Sequence, residues 1–171
     1  ERLQAKVQEY TNLPVALGMR YGNPSIKHAI SELLKDHPDL ERLSLIPLYP
    51  HYAMSSYETV VVKAREVVEA HFPQLEMKVQ RAFYNDQRYI DILSESINTG
   101  LPAEYDHLLF SYHGVPERQI TGSDVSKAHC LRLDNCCAKD SPAQSFCYRH
   151  QTLATTDLVA RQLNLEAGKY S

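Results

Sequence analysis

Two features of this sequence predict an α/β fold with parallel sheets and helices on both faces. A short β-rich run, a turn and an amphipathic helix recur about four times along the chain, and strands that alternate with helices favour parallel over hairpin pairing. The helical stretches also carry their own start and stop residues, which separates them from the runs on either side.

Leu13–Arg20 (LPVALGMR) is the first strand expected. Asn23-Pro24 then offers a cap and a proline in the first helical turn, and Ile26, Ala29, Ile30, Leu33 and Leu34 make one apolar helix face, ended by His37-Pro38. Arg42–Tyr49 (RLSLIPLY) is the second strand, with Pro47 near its end, where a missing ladder donor does least harm. Ser55-x-x-Glu58 has the form of a capping box before a helix over Val60–Phe72, and Pro73 closes it. The third strand is Glu76–Phe83, followed by a helix from about Asp86 to Asn98 with Gly100 as its stop. His107–Tyr112 is the fourth strand; after a long polar stretch, Ser141-Pro142-Ala143-Gln144 again combines cap, proline and capping-box Gln before a helix to about Asn164. The chain opens on a charged helical pattern with Leu3, Val7 and Tyr10 on one face and ends just after a helix, so it is expected to be cut at both ends.

Composition narrows the function. At 43% hydrophobic and 23% charged residues, the 171-residue chain can bury a real core, which excludes disordered and collagen-like classes. A net charge of −3 provides no broad basic footprint, so no nucleic-acid partner is expected. Mean hydropathy is −0.40, and the longest apolar runs fall far short of the roughly 20 residues of a spanning helix. Peripheral membrane contact stays open. With no signal-like apolar segment, a cytoplasmic location is expected.

In parallel α/β folds ligands bind at the carboxyl ends of strands, which singles out Arg20-Tyr21, Tyr49–Tyr52 and Tyr112–Pro116. His113 follows a strand directly, on a turn that Gly114 and Pro116 make sharp and stiff. An imidazole there can accept a proton at neutral pH or ligate a metal; a hydrogen-bonded turn residue is the plainer alternative. Tyr49, His51, Tyr52 and Met54 offer flat, polarizable walls for a large planar ligand, or ordinary loop packing. Arg20 has the fork that meets a carboxylate. Cys130, Cys136, Cys137 and Cys147 are the only cysteines and interrupt the strand-to-helix rhythm. Four thiolates so clustered suit an iron–sulfur cluster or a structural zinc, although the spacing lacks a CxxC pair; free or disulfide-bonded cysteines are the plainer alternative. Cys147 is expected in the first turns of the last helix, where the dipole favours a thiolate.

The segments VALGMRYGNPSI, LSLIPLYPHYAMSS, HLLFSYHGVPERQI and SPAQSFCYRHQTLATTDLVARQLNL together resemble the central portion of a bacterial-type ferrochelatase, in the family's order and approximate spacing. The resemblance implies two Rossmann-like domains with a porphyrin in the cleft between them, residues 1–54 completing the first and 55–171 beginning the second, with a Cys-rich insertion over 123–147. It implies insertion of ferrous iron into protoporphyrin IX as the terminal step of haem synthesis, by a lyase. His113 matches the family's histidine of proton abstraction or metal handling; Arg20, Tyr21 and Tyr49 match pocket residues; His51 stands where members have histidine or glutamine. Met54 stands where animal enzymes place a cluster cysteine, so the animal-type cluster is excluded. The four cysteines resemble the compact internal set of some bacterial members, which implies a two-iron two-sulfur cluster, with zinc as the alternative. The acidic partner of the family's histidine lies outside this segment, so the chain alone is expected to be inactive. A cobalt or nickel chelatase of corrinoid precursors, and a non-catalytic iron–sulfur or metal-binding module, are the rival readings.

Overall fold

A computed structural model describes residues 2–171, which divide into two units: residues 2–47 with 58–81, and residues 48–57 with 82–171. The boundary expected at residue 54 thus falls inside 48–57, a stretch that packs with the second unit.

The first unit carries α1 (Arg2–Glu9), α2 (Ile26–Asp36), β1 (Arg42–Leu45), α3 (Thr59–His71) and β2 (Glu76–Val79). β1 and β2 pair in parallel, Arg42 opposite Glu76 and Leu45 opposite Val79, and Gln80 N donates to the Leu45 carbonyl at 2.8 Å to continue the register. The α/β class with parallel pairing is what the alternation predicts. Burial alternates along both strands, which turns Leu43, Leu45 and Met77 toward the core. That core is Ile26 and Ile30 of α2 against Ala64, Val67 and Val68 of α3, with Phe72 at its C-cap and Leu75; each fully buried aliphatic side chain contributes about 1.5–3 kcal/mol. α2 is capped by Ser25, whose Oγ accepts from His28 N, and not by Asn23. The Ser55/Glu58 capping box does not form, because Met54–Glu58 coils as one wide π-helical turn and enters α3 without a side-chain cap.

Leu13–Arg20 is extended but is not a strand: its one bridge, Met19 to Ser25, is local. Extended propensity sets the backbone, but a ladder needs a partner, and among the described residues none lies alongside. The segment instead passes so close to α2 that a Cβ on Gly18 would stand 3.1 Å from Ile26 Cα.

In the second unit α4 (Gln87–Gly100), capped by Asp86, packs on α6 (Tyr148–Gln162) around Ile90 and Val159. His107–Tyr112 is likewise extended, with parallel bonding limited to the chain's last residues: Leu108 N donates to Lys169 O at 2.9 Å and Phe110 N to Ser171 O at 2.8 Å. A short helix, α5 (Glu117–Ser123), appears where the sequence predicts only a polar stretch, started by Pro116. Ser141 caps as expected, but over a 3₁₀ turn, Pro142–Phe146, before α6 begins at Tyr148. No helix among the described residues is long and apolar enough to cross a membrane.

Candidate functional site

Two of the singled-out motifs meet in the second unit, and α6 is what joins them. His51 stacks edge-on against Tyr112 and Tyr148, ring centres 5.6 and 5.9 Å apart, while its Nε2 lies 3.0 Å from Thr155 Oγ1. Tyr112, directly before His113, shares a hydroxyl hydrogen bond of 2.9 Å with Thr156. The Tyr148 hydroxyl sits against the His113 main chain, and Val115 packs on the apolar cluster of Ile120, Cys130, Ala143 and Cys147. The turn is therefore pinned on both sides of His113, whose own ring is exposed. Gly114 contributes less than expected: its φ is not positive and a Cβ would meet nothing within 4 Å, so the stiffness comes from Val115, Pro116 and the tyrosines.

Of the planar-wall residues, Tyr49 and Met54 are exposed, whereas Tyr52 is buried against Tyr57 and Phe146. Arg20 and Tyr21 belong to the first unit; the guanidinium lies 4.6 Å above the Tyr21 ring and Nε donates to the Thr59 carbonyl at 3.2 Å. A cavity of about 180 Å³, walled by Tyr89, Leu93, Ile97, Phe110, Tyr112 and Val159, adjoins the motif. It is smaller than the roughly 300 Å³ at which small-molecule sites begin, and so cannot enclose a macrocycle.

Burial pulls the His51 imidazole down to about 4, so it is neutral at pH 7. Against an unfolded value near 6.5, the unfolded chain binds the extra proton between those limits, and stability tied to His51 is complete above about pH 6.5 and lost as pH falls toward 4. The thermal midpoint of the native protein should drop more steeply than that of His51→Gln across this window. Equal slopes for the two proteins would remove the assignment.

All four cysteines are free, and Cys130, Cys136 and Cys147 are buried. Cys147 caps α6, its Sγ accepting from His150 N at 3.5 Å, as its expected place in the first turns requires. Burial, then the neighbouring Cys147 sulfur, pushes the Cys130 thiol up to about 12; burial, then Cys147 and Cys136, does the same to Cys137. Each of these two thiols lies near others of the set, Cys130 near Cys147 and Cys136, and Cys137 near Cys147 and Cys136. Among the described residues no group of three or more His, Cys, Asp or Glu side chains is arranged to hold one metal ion. The loop is braced by His129, whose Nε2 donates to the Cys136 carbonyl at 2.8 Å, and by His150, whose Nδ1 donates to that of Cys137 at 2.9 Å.

Sequence reasoning passed over the residues that do the holding: Asp124, Gln151, Thr155 and Thr156, all buried and polar. A signal existed for the first, since Asp124-x-Ser126 is the pattern of an Asx turn. For Gln151 and Thr155 it was fainter, a polar residue at every fourth position from Cys147 on a helix whose other faces, Thr156 included, also carry polar residues.

The profile of the ferrochelatase family matches residues 1–171. The ferrochelatase of Opitutus terrae is 42% identical over 158 residues, which is 92% of this chain and 45% of that protein. Those of Pseudomonas fluorescens and Azotobacter vinelandii are each 39% identical, over 99% of this chain and 50% of theirs. The chain thus spans about half the length of the curated relatives it matches. Both the His113 turn and the tyrosine-rich segment it packs against lie inside that match, and the chain belongs to the ferrochelatase family.

Proposed function

We propose that this chain is part of a protoporphyrin ferrochelatase, an enzyme that inserts ferrous iron into protoporphyrin IX to form haem, and that its two units are portions of two Rossmann-like domains. The observation that carries the reading is the meeting of the YPHYAM and SYHGVP motifs through His51, Tyr112 and Tyr148, which leaves His113 exposed on a pinned turn. Metallation exchanges two pyrrole N–H protons for one Fe²⁺, and both protons must be taken up as the N–Fe bonds form. His113 is the acceptor in this reading, with an acidic partner supplied from outside these residues. Tyr49 and Met54, both exposed, would line the macrocycle, with His51 and the buried Tyr52 packed behind them; Arg20 and Tyr21 are proposed as further substrate-binding residues. The four free thiols suit a reducing compartment, and we place the reaction in the cytoplasm.

At the cysteine set we favour a two-iron two-sulfur cluster over zinc, because the four thiols cluster between residues 130 and 147 without the CxxC spacing of a zinc finger. Each iron of such a cluster takes two thiolates and one zinc takes four donors in a single shell; among the described residues no three are arranged to hold a metal ion, so loading with either would draw the thiols together. Cys130, Cys136, Cys137 and Cys147 would hold the cluster, and binding would release their thiol protons. When bound, the cluster supplies a cross-link and one-electron chemistry that metal insertion does not require.

An anoxic assay with ferrous iron and protoporphyrin IX tests the reading. Saturable porphyrin binding and turnover are expected of the complete protein, and little or no turnover of this chain alone. Absence of saturable binding by the complete protein would overturn the function, and turnover by the chain alone at the complete protein's rate would overturn the need for an outside acidic partner.

A further inference from the structure

Cys147, the N-cap of α6, and Gln151 and Thr155 within it fall at successive fourth positions, all at 2% exposure or less. The next position, Val159, is apolar and equally buried, as a core-facing stripe should be. A buried amide and hydroxyl in such a stripe are costly unless every polar atom is satisfied. Here each is. Gln151 Oε1 accepts from Tyr52 N at 2.7 Å, and its Nε2 donates to the carbonyls of Gln144 at 3.2 Å and Ser145 at 2.9 Å. Thr155 Oγ1 lies 2.8 Å from the Tyr84 carbonyl, 3.1 Å from that of Gln151 and 3.0 Å from His51 Nε2.

Counting protons settles the last of these bonds. Carbonyl oxygens only accept, so the single Thr155 hydroxyl proton goes to one of them, and the hydroxyl can meet the imidazole only as acceptor. Nε2 must then carry the hydrogen, and Nδ1 carries the lone pair. The same helix holds Tyr112 through Thr156, so the 51–52 segment, Tyr84 and the residue before His113 are all registered against one rigid element.

We propose that Gln151 and Thr155 are positioning residues of the metal-insertion site, Gln151 setting the main chain at Tyr52 and Thr155 fixing His51 as the Nε2–H tautomer. The choice of site rests on the chelatase reading; the tautomer does not. Neither residue touches a reacting atom. Both act through the wall segment and through the tyrosine that the His51 ring supports.

Two measurements on the complete protein test this. In ¹⁵N-histidine-labelled protein, native His51 should show the Nε2–H pattern, Thr155→Ser should keep it, and Thr155→Val should shift it toward Nδ1–H. By fluorescence titration, Thr155→Val and Gln151→Leu should each weaken protoporphyrin IX binding about three- to tenfold, the size of one lost hydrogen bond, with Thr155→Ser near native. A native Nδ1–H pattern, or Thr155→Val with the native pattern, overturns the tautomer assignment. A changed pattern with unchanged affinity overturns the positioning role. If the native protein binds no porphyrin, the chelatase reading fails while the ring-nitrogen result still decides what Thr155 does.

Discussion

His113→Ala is expected to slow ferrous-iron insertion by the complete enzyme about 10²–10⁴-fold while leaving porphyrin affinity within about twofold, the signature of a lost proton acceptor. The expectation follows from where the ring stands. Porphyrin nitrogens present their lone pairs within the ring plane, and two carry hydrogens that block an entering cation, so a base placed at the exposed N–H groups acts on the slow step. The imidazole is exposed, and the turn beneath it is held by residues other than itself: Tyr112 on Thr156, the main chain against Tyr148, and Val115 in the apolar cluster. Removing an exposed ring from a turn so fixed should change folding stability by no more than about 0.5 kcal/mol. Activity and stability should therefore separate cleanly, and added imidazole should restore part of the rate. Retention of more than about a tenth of native turnover would refute the assignment.

The helices were legible because their apolar residues repeat at the helical period: Ile26, Ala29 and Ile30 are buried in α2, as the pattern requires, and Asp86 and Ser141 cap where short polar side chains precede a turn. The two strands misread, Leu13–Arg20 and His107–Tyr112, were misread for one reason. Sequence reports how readily a backbone extends; whether a ladder forms depends on a partner remote in the chain, which local pattern does not carry. The Ser55/Glu58 box failed differently, since Met54–Glu58 coils one residue per turn wider than an α-helix and the carboxylate no longer reaches its cap. Cysteine clustering exposed the loop, but the brace on it was hidden, because a buried Asp looks like a surface one until its hydrogen bonds are known. Gln151 and Thr155 escaped notice for the same reason, as polar residues in a stripe the period assigns to core.

That brace is where the largest loss of stability is expected. Asp124 is 1% exposed at the end of α5, and its carboxylate accepts from four donors: Ser126 N and Oγ at 2.8 and 2.7 Å, and the main-chain N–H groups of His129 and Cys130 at 2.8 Å each. Burial alone would raise its pKa, but those hydrogen bonds, Ser126 foremost, hold it well below the usual carboxylate range. The stabilisation is therefore complete above an unfolded value near 3.9 and lost only as pH falls through the depressed folded one. Asp124→Ala leaves three main-chain donors and a hydroxyl without partners, a cost of about 3–5 kcal/mol. For a chain of this size that corresponds to a midpoint lower by roughly 10 °C. Because two of the orphaned donors flank the thiol set, at His129 and at Cys130 itself, the damage should reach metal loading: anoxically purified native protein should carry iron, acid-labile sulfide and visible charge-transfer absorption, and Asp124→Ala should lose most of all three. Asp124→Asn, which keeps one carbonyl oxygen but turns an amide N–H toward donors, should fall between. Native iron content and native stability in Asp124→Ala would show that the carboxylate does not organise the loop, and stoichiometric zinc with no charge-transfer bands in the native protein would show that the loop does not hold iron.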